Sequence, residues 1–290
     1  MLIAGKKLVQ GGVMDAEPAP FSLPYTQSLI LPGPVAGEGY RIDIALPSGA
    51  CPPGGWPAVV LLDAAGCFAT CVEAMRRMSR RQDATGVGQA VLIGISPADG
   101  DPGNARRQRD FTSTRTGGKA DAGADAGGAE AFLAFIERQV LPTVSARLPL
   151  DEGRLTLFGH SLAGYFALWV LANRPRLFRS YAAISPSIWW DREGLFDAFS
   201  RAQIADRRLF MAVGEWEEAL PPWQLGLPGS EEALARRKAR RMIANVLELG
   251  AALQAAMGEE RASFRLLPEE DHASIVSAAI PRMLRMASLL

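Results

Sequence analysis

The sequence predicts an α/β domain with a mostly parallel central sheet, helices on both faces and an antiparallel pair at its N-terminal edge. Three observations predict it. Ala58–Leu62 and Ala90–Ile95 are continuous apolar runs, as in strands covered on both faces. Segments of helical apolar spacing alternate with such runs through the rest of the chain. The length of 290 residues, 48% of them apolar, suits one domain whose core needs no disulfide or metal staple.

Taken in order, residues 1–20 read as a tail and 21–290 as a single domain. Tyr25–Leu31 and Tyr40–Leu46 alternate in polarity around a Pro/Gly turn, which predicts an antiparallel pair. After the Pro-rich stretch Pro47–Pro57 comes the strand Ala58–Leu62, then a helix from Phe68 to Arg81 and the strand Ala90–Ile95. Ser96–Gly128 is glycine-rich and carries Pro97 and Pro102; a connection this long predicts a lid or a disordered loop. Ala129–Arg147 has Phe132, Phe135, Ile136 and Val140 at helical spacing. There follow a strand (Arg154–Phe158), a helix (Leu162–Ala172), and two strands (Ser180–Ile184 and Arg208–Val213). One long helix (Ser230–Ala256), a last strand (Ser263–Leu267) and a closing helix (Ser274–Leu290) complete the chain. Right-handed crossovers would join the parallel strands.

Composition narrows the function. Lys and Arg number 31, as do Asp and Glu, and a neutral chain lacks the basic footprint of a nucleic-acid binder or a polybasic membrane-surface protein. No apolar run approaches the ~20 residues that span a bilayer. Lys6 and Lys7 are followed by a stretch broken at Gly11 and Gly12, too short for a signal-peptide core. The expected compartment is the cytoplasm, with the periplasm as the alternative for a chain whose leader has been cleaved. Cys51, Cys67 and Cys71, with two histidines, make neither a disulfide framework nor a zinc spacing. Neither metal nor cofactor is expected, and the oligomeric state is open. The basic run Arg236–Arg241 follows Glu231 and Glu232 and reads as a solvated helix face.

The chemistry is concentrated in Leu155–Tyr165, where a predicted strand runs into Gly159-His160-Ser161-Leu162-Ala163. This is G-x-S-x-G with Ala163 in the last position. A serine on so sharp a turn from strand to helix presents its Oγ above the sheet, beside free N–H groups of the helix start. Its hydroxyl needs a base. Of the two histidines, His160 adjoins the serine and its side chain should diverge from it, which leaves His272, just after the last strand. The acid that orients the base should follow the strand Arg208–Val213: Glu217 is the first choice and Glu215 the second. The order Ser161…Glu217…His272 is that of α/β-hydrolases. The N–H of Leu162 and one from the loop Asp63–Gly66, at Ala64, are the candidate oxyanion donors.

Several separate segments resemble the putative-esterase family of α/β-hydrolases, and within it the siderophore esterases that open catecholate trilactones such as enterobactin and salmochelin. Leu61-Leu62-Asp63 resembles the family's L-D-G segment, with Ala64 in the glycine's place. Arg106–Thr112 resembles R-x-x-D-[LFY]-T, and Gly127–Phe132 resembles a G-G-A-x-x-F-L helix start. Gly159–Gly164 resembles G-H-S-x-G-G, Ser185–Trp190 resembles S-P-S-x-W-W, Gly214–Glu217 resembles G-E-x-E, and Asp271–Ser274 resembles D-H-G-S. The resemblance implies a serine esterase in which Ser161 forms an acyl-enzyme, His272 moves the proton and Glu217 holds His272, unless a Ser–His pair suffices. Its substrate would be an anionic, aromatic small molecule met by Arg106, Arg107, Arg109, Trp189 and Trp190, with any iron arriving on the substrate. Two other readings stand beside it. One is a carboxylesterase for S-formylglutathione, feruloyl or acetyl-sugar esters; the other is a non-catalytic binder on the same fold.

Overall fold

The computed structural model describes residues 22–100, 104–113 and 126–289. The tail read in residues 1–20 lies outside them. Eight strands form one sheet: β1 (Thr26–Pro32), β2 (Gly39–Ala45), β3 (Trp56–Leu62), β4 (Val91–Pro97), β5 (Leu150–His160), β6 (Ser180–Ile184), β7 (Arg208–Gly214) and β8 (Ala262–Leu267). Their spatial order is β1-β2-β4-β3-β5-β6-β7-β8. β1 and β2 add antiparallel strands beside β4, and every pair from β4 through β3 to β8 is parallel. This is the α/β-hydrolase arrangement that the order of elements predicts.

The continuous apolar runs have a direct reason. Successive side chains of a strand point to opposite faces. In β3, Ala58, Val60 and Leu62 enter one core, while Val59 and Leu61 enter the other. The second core is covered by α1 (Phe68–Ser79) and the C-terminal helix Ile275–Ser288. The first is covered by the helices between them in sequence.

After α1 comes the short α2 (Gln82–Thr85). The segment expected to be structureless is not so throughout: α3 (Asn104–Phe111) lies within it and packs on later helices. Phe111 is buried and meets the rings of Phe132 and Phe166 at 5.5 and 5.7 Å, so this part of the segment belongs to the core. Residues 114–125 of the same expected loop lie outside the described residues. The predicted helix from Ala129 is α4 (Ala129–Phe135), continued through a π-helical turn (Ile136–Val140) into α5 (Leu141–Ser145). α6 (Leu162–Asn173) is buried at every position from Leu162 to Ala172, because β5 and β6 lie against one side and α3 and α7 against others. α7 (Arg192–Arg201) has no counterpart in the sequence reading. Asp191 caps it, accepting from the N–H of Gly194 at 3.1 Å, and an aspartate at that position is its local signal.

The long helix expected over Ser230–Ala256 is two helices, α8 (Ser230–Arg240) and α9 (Met242–Met257), and the last helix is α10. Arg241 breaks the run in the left-handed region, with φ 49°, a conformation that costs a non-glycine residue about 1 kcal/mol. Buried Asn245 offsets this by donating through Nδ2 to the carbonyl of Arg240, at 3.2 Å. Glu218 accepts the N–H of Ala244, at 2.9 Å. The break separates unlike faces: α9 buries Val246, Leu249 and Leu253 against β7 and β8, whereas α8 buries no residue fully. Among the described residues no helix is long and apolar enough to cross a membrane.

Candidate active site

The strand-to-helix turn is tight for a reason legible atom by atom. Ser161 stands between the last residue of β5 and the first of α6 with φ 58° and ψ −119°. A Cβ on Gly159 would fall 2.1 Å from the carbonyl oxygen of Ala163, so only glycine fits there. Ala163 itself is fully buried, and its methyl is accommodated because the close approach is made by its backbone. The turn is tied to β6 by the N–H of Ser161, which donates to the carbonyl of Ile184 at 2.9 Å.

Ser161 Oγ lies 3.0 Å from His272 Nε2, and His272 Nδ1 lies 2.7 Å from Glu217 Oε2. Three residues from the ends of three strands thus meet in one hydrogen-bonded line. Burial pushes the Glu217 carboxyl up, but the hydrogen bond and charge of His272, the Ser185 hydroxyl and the Gly214 N–H outweigh it and hold Glu217 below the usual carboxylate range. An ionised carboxylate only accepts, so it places the proton of the neutral ring on Nδ1 and leaves the Nε2 lone pair facing the serine hydroxyl. Exposure divides the pair: the side chain of Glu217 is 1% exposed and that of His272 is 45% exposed. The acid is fixed inside the protein while the base faces the cleft.

Glu217 is fixed by further partners. Its Oε1 accepts from the Gly214 N–H at 2.9 Å and from the Ser185 hydroxyl. Ser185 is fully buried, at φ 45°, and its N–H donates to Ala212 at 2.7 Å. The sequence reading gave Ser185 no role, although it opens the Ser-Pro-Ser segment. Glu215, the second choice for the acid, instead accepts the N–H of Glu269 at 2.8 Å and so holds the turn that carries His272.

At the start of α6 the N–H of Leu162 lies beside the nucleophile, and Leu162 lines the cleft. Across the sheet, Asp63 turns the chain at φ 50° into a short turn over Ala64–Gly66. Within it Ala65 donates to Ser96 Oγ at 2.9 Å and Gly66 to Asp63 at 3.1 Å; the N–H of Ala64 meets no acceptor among the described residues. The methyl of Ala64 fits because β4 has a glycine opposite: a Cβ on Gly94 would lie 2.7 Å from it.

A cleft of about 450 Å³ opens over Ser161. Trp189, Trp190 and Arg107 line it as the sequence reading expects. Arg107 also pairs with Asp63, at 2.8 Å. Arg106 and Arg109 do not line it, which corrects their assignment to substrate. They lie one turn apart on α3 and face Glu38: Arg109 pairs with Glu38 at 2.6 Å and with buried Asp110 at 2.9 Å, and Arg106 pairs with Asp99 at 2.7 Å. Besides Arg107, two arginines of α8 reach the cleft, Arg237 and Arg240, joined there by Trp216. The basic run is a largely exposed helix face, as its sequence predicts, and the part the sequence does not show is that Arg237 and Arg240 of this face border the cleft. Arg237 is held by the carbonyl of Ala219 at 2.6 Å and by Gln224 at 2.9 Å. The guanidinium of Arg240 lies 4.9 Å over the ring of Trp189. Among the described residues no three His, Cys, Asp or Glu cluster in a way that could hold a metal ion.

Comparison with known proteins places the chain in a family. The family described as Putative esterase matches residues 34–244. The chain is 33% identical over 291 residues to the ferri-bacillibactin esterase BesA of Bacillus subtilis, covering 96% of this chain and 93% of that one. It is also 33% identical to the siderophore triacetylfusarinine C esterase of Aspergillus fumigatus, over 94% of this chain and 96% of that one. Among solved structures, the siderophore hydrolase EstB from Aspergillus nidulans superposes with a TM-score of 0.78 at 27% identity, over 93% of this chain and 96% of that one. With a hydrogen-bonded serine, histidine and glutamate at the strand ends of an α/β-hydrolase sheet, this chain belongs to the Putative esterase family, as a serine ester hydrolase of its siderophore-esterase branch.

Proposed function

We propose that this esterase cleaves the ester bonds of a catecholate trilactone siderophore, with Ser161 as nucleophile, His272 as base and Glu217 as the acid that orients it. The observation that carries the reading is the hydrogen-bonded line from Glu217 through His272 to Ser161 at the floor of a cleft walled by arginine and tryptophan. Ser161 Oγ attacks the ester carbonyl carbon while its proton passes to His272 Nε2. The oxyanion is held by the N–H groups of Leu162 and Ala64. As the C–O bond breaks, His272 returns the proton to the leaving alkoxide, which in a macrolactone remains tethered to the acyl-enzyme. Water then attacks, giving its proton to His272, and the ester to Ser161 breaks to release a carboxylate and the free hydroxyl.

The cleft supports an anionic aromatic substrate. Arg240 has a tryptophan ring and no carboxylate against its guanidinium among the described residues, so its charge is available to a ligand. Trp189 beside it offers a stacking face. Iron, where present, would arrive as part of the substrate. The cytoplasm is the compartment we propose, to be checked by fractionating cells and assaying each fraction.

The test is hydrolysis of a trilactone siderophore and of p-nitrophenyl esters by wild type, Ser161→Ala and His272→Ala. Each substitution should lower turnover by ~10⁴–10⁶, because nucleophile and base act as a unit. Retained turnover in Ser161→Ala would remove the mechanism. Turnover of aryl esters without trilactones would leave a carboxylesterase and remove the substrate.

A further inference from the structure

We propose that His160 is a positioning residue, whose ring N–H fixes the backbone of His272 to the residue next to the nucleophile. The proposal rests on the reading of Ser161 and His272 as nucleophile and base. His160 is one of two histidines in the chain and takes no part in the proton transfers above. It ends β5, and its Nε2 lies 2.8 Å from the carbonyl oxygen of His272. A carbonyl has no proton to offer, so the imidazole is the donor. The two rings lie with centroids 4.7 Å apart.

The base needs such a strut because of where it sits. His272 lies on the turn between β8 and α10, outside the hydrogen-bonded ladder of the sheet. The near end of that turn is well held: the N–H of Trp216 donates to Glu270 at 3.0 Å, and the N–H of Glu269 donates to Glu215 at 2.8 Å. Gly214 lets Glu270 approach, for a Cβ there would lie 2.4 Å from the Glu270 carbonyl oxygen. The far end is closed locally, by Asp271 accepting the N–H groups of Ala273 and Ser274 at 2.8 Å. The bond from His160 holds the peptide of His272 itself. His160 and Ser161 share a peptide unit, so this bond makes base and nucleophile move together. A displacement near 1 Å costs a reaction of this kind ~10²-fold.

The charge state suits the task. Burial and the neighbouring His272 push His160 down to about 4. It therefore stays neutral while His272 gains and loses its proton, and it opposes no imidazolium.

A pair of variants separates donor from bulk. His160→Gln keeps an N–H at about the reach of imidazole Nε2, and His160→Met is close in size with no donor. We expect His160→Met to lower kcat on p-nitrophenyl butyrate and the rate of fluorophosphonate labelling by ~10–100-fold, with KM within about twofold. His160→Gln should stay within about threefold of wild type. Wild-type labelling in His160→Met, or His160→Gln as slow as His160→Met, would overturn the proposal. Should His160→Met fail to fold by circular dichroism, His160→Phe takes its place with the same two outcomes. Labelling of Ser161→Ala would instead remove the reading of the nucleophile and leave the role of His160 a separate matter.

Discussion

Two basic helices flank the cleft, and they use their arginines in opposite ways. On α3, Arg106 and Arg109 are spent on Asp99, Glu38 and Asp110. The bond from Tyr40 to Asp110 extends the same network into the core beneath β2. On α8, Arg237 is held by neutral groups, the Ala219 carbonyl and Gln224, and Arg240 lies on Trp189. Both helices are rich in arginine and their exposed faces look alike in sequence. The difference lies in which carboxylates the fold brings opposite them. A guanidinium paired bidentately with a half-buried carboxylate is a structural part, while one facing an aromatic wall keeps its charge for a ligand.

The largest effect that tests this contrast is on stability. Arg109→Ala leaves Asp110, whose side chain is 4% exposed, buried without its cation, and should cost about 3 kcal/mol. Denaturant unfolding should show it, with KM for ester substrates unchanged; a raised KM at unchanged stability would reverse the assignment. The next effect is a pH dependence that neither arginine cluster supplies, since guanidinium groups stay charged throughout. His160 is neutral in the fold down to about pH 4, whereas an unfolded histidine takes its proton near 6.5. Between those values the unfolded chain binds the extra proton, so stability falls as the pH drops from about 6.5 toward 4. Allowing for the ring's partial exposure, this contribution is about 2 kcal/mol. It should vanish in His160→Gln, and an unchanged pH profile of unfolding there would locate the titration elsewhere.

A smaller effect is expected from α8. Arg240→Gln should raise KM about tenfold, or about 1.4 kcal/mol, for an anionic trilactone, while p-nitrophenyl butyrate kinetics and stability stay near wild type. Equal losses on both substrates would mean that Arg240 shapes the cleft and does not read charge. Smallest of all is Arg106→Ala. Its closer partner Asp99 is 53% exposed, and Glu38 lies farther off at 3.5 Å and keeps Arg109, so the loss should stay below about 1 kcal/mol, with no change in KM by the same assays.

Much of the fold was legible because its signals are local. Runs such as Val59–Leu62 are apolar throughout because each side chain meets one of two cores. The helix starting at Leu162 follows a glycine that no other residue can replace. The break at Arg241 was not legible, because the helical apolar spacing runs through it. Its compensation comes from Asn245, on the next turn, and from Glu218, on another segment. α3 was hidden by its surroundings: glycine and proline on either side mask eight residues whose Phe111 is a core side chain.

By itself the sequence determined the nucleophile and the base, since a serine at a forced turn and the one histidine free to approach it leave no other pair. It determined the parallel sheet for the same kind of reason, in that chain periodicity records which faces are covered. Only the tertiary structure decided that Glu217 and not Glu215 touches the imidazole, that Ser185 stands behind it, and that α8 and not the outer arginines of α3 faces the cleft. Those choices depend on partners such as Glu38 and Arg109, 71 positions apart. Ion pairing over such a distance leaves no spacing in the chain, because it is set by where the strands end in space.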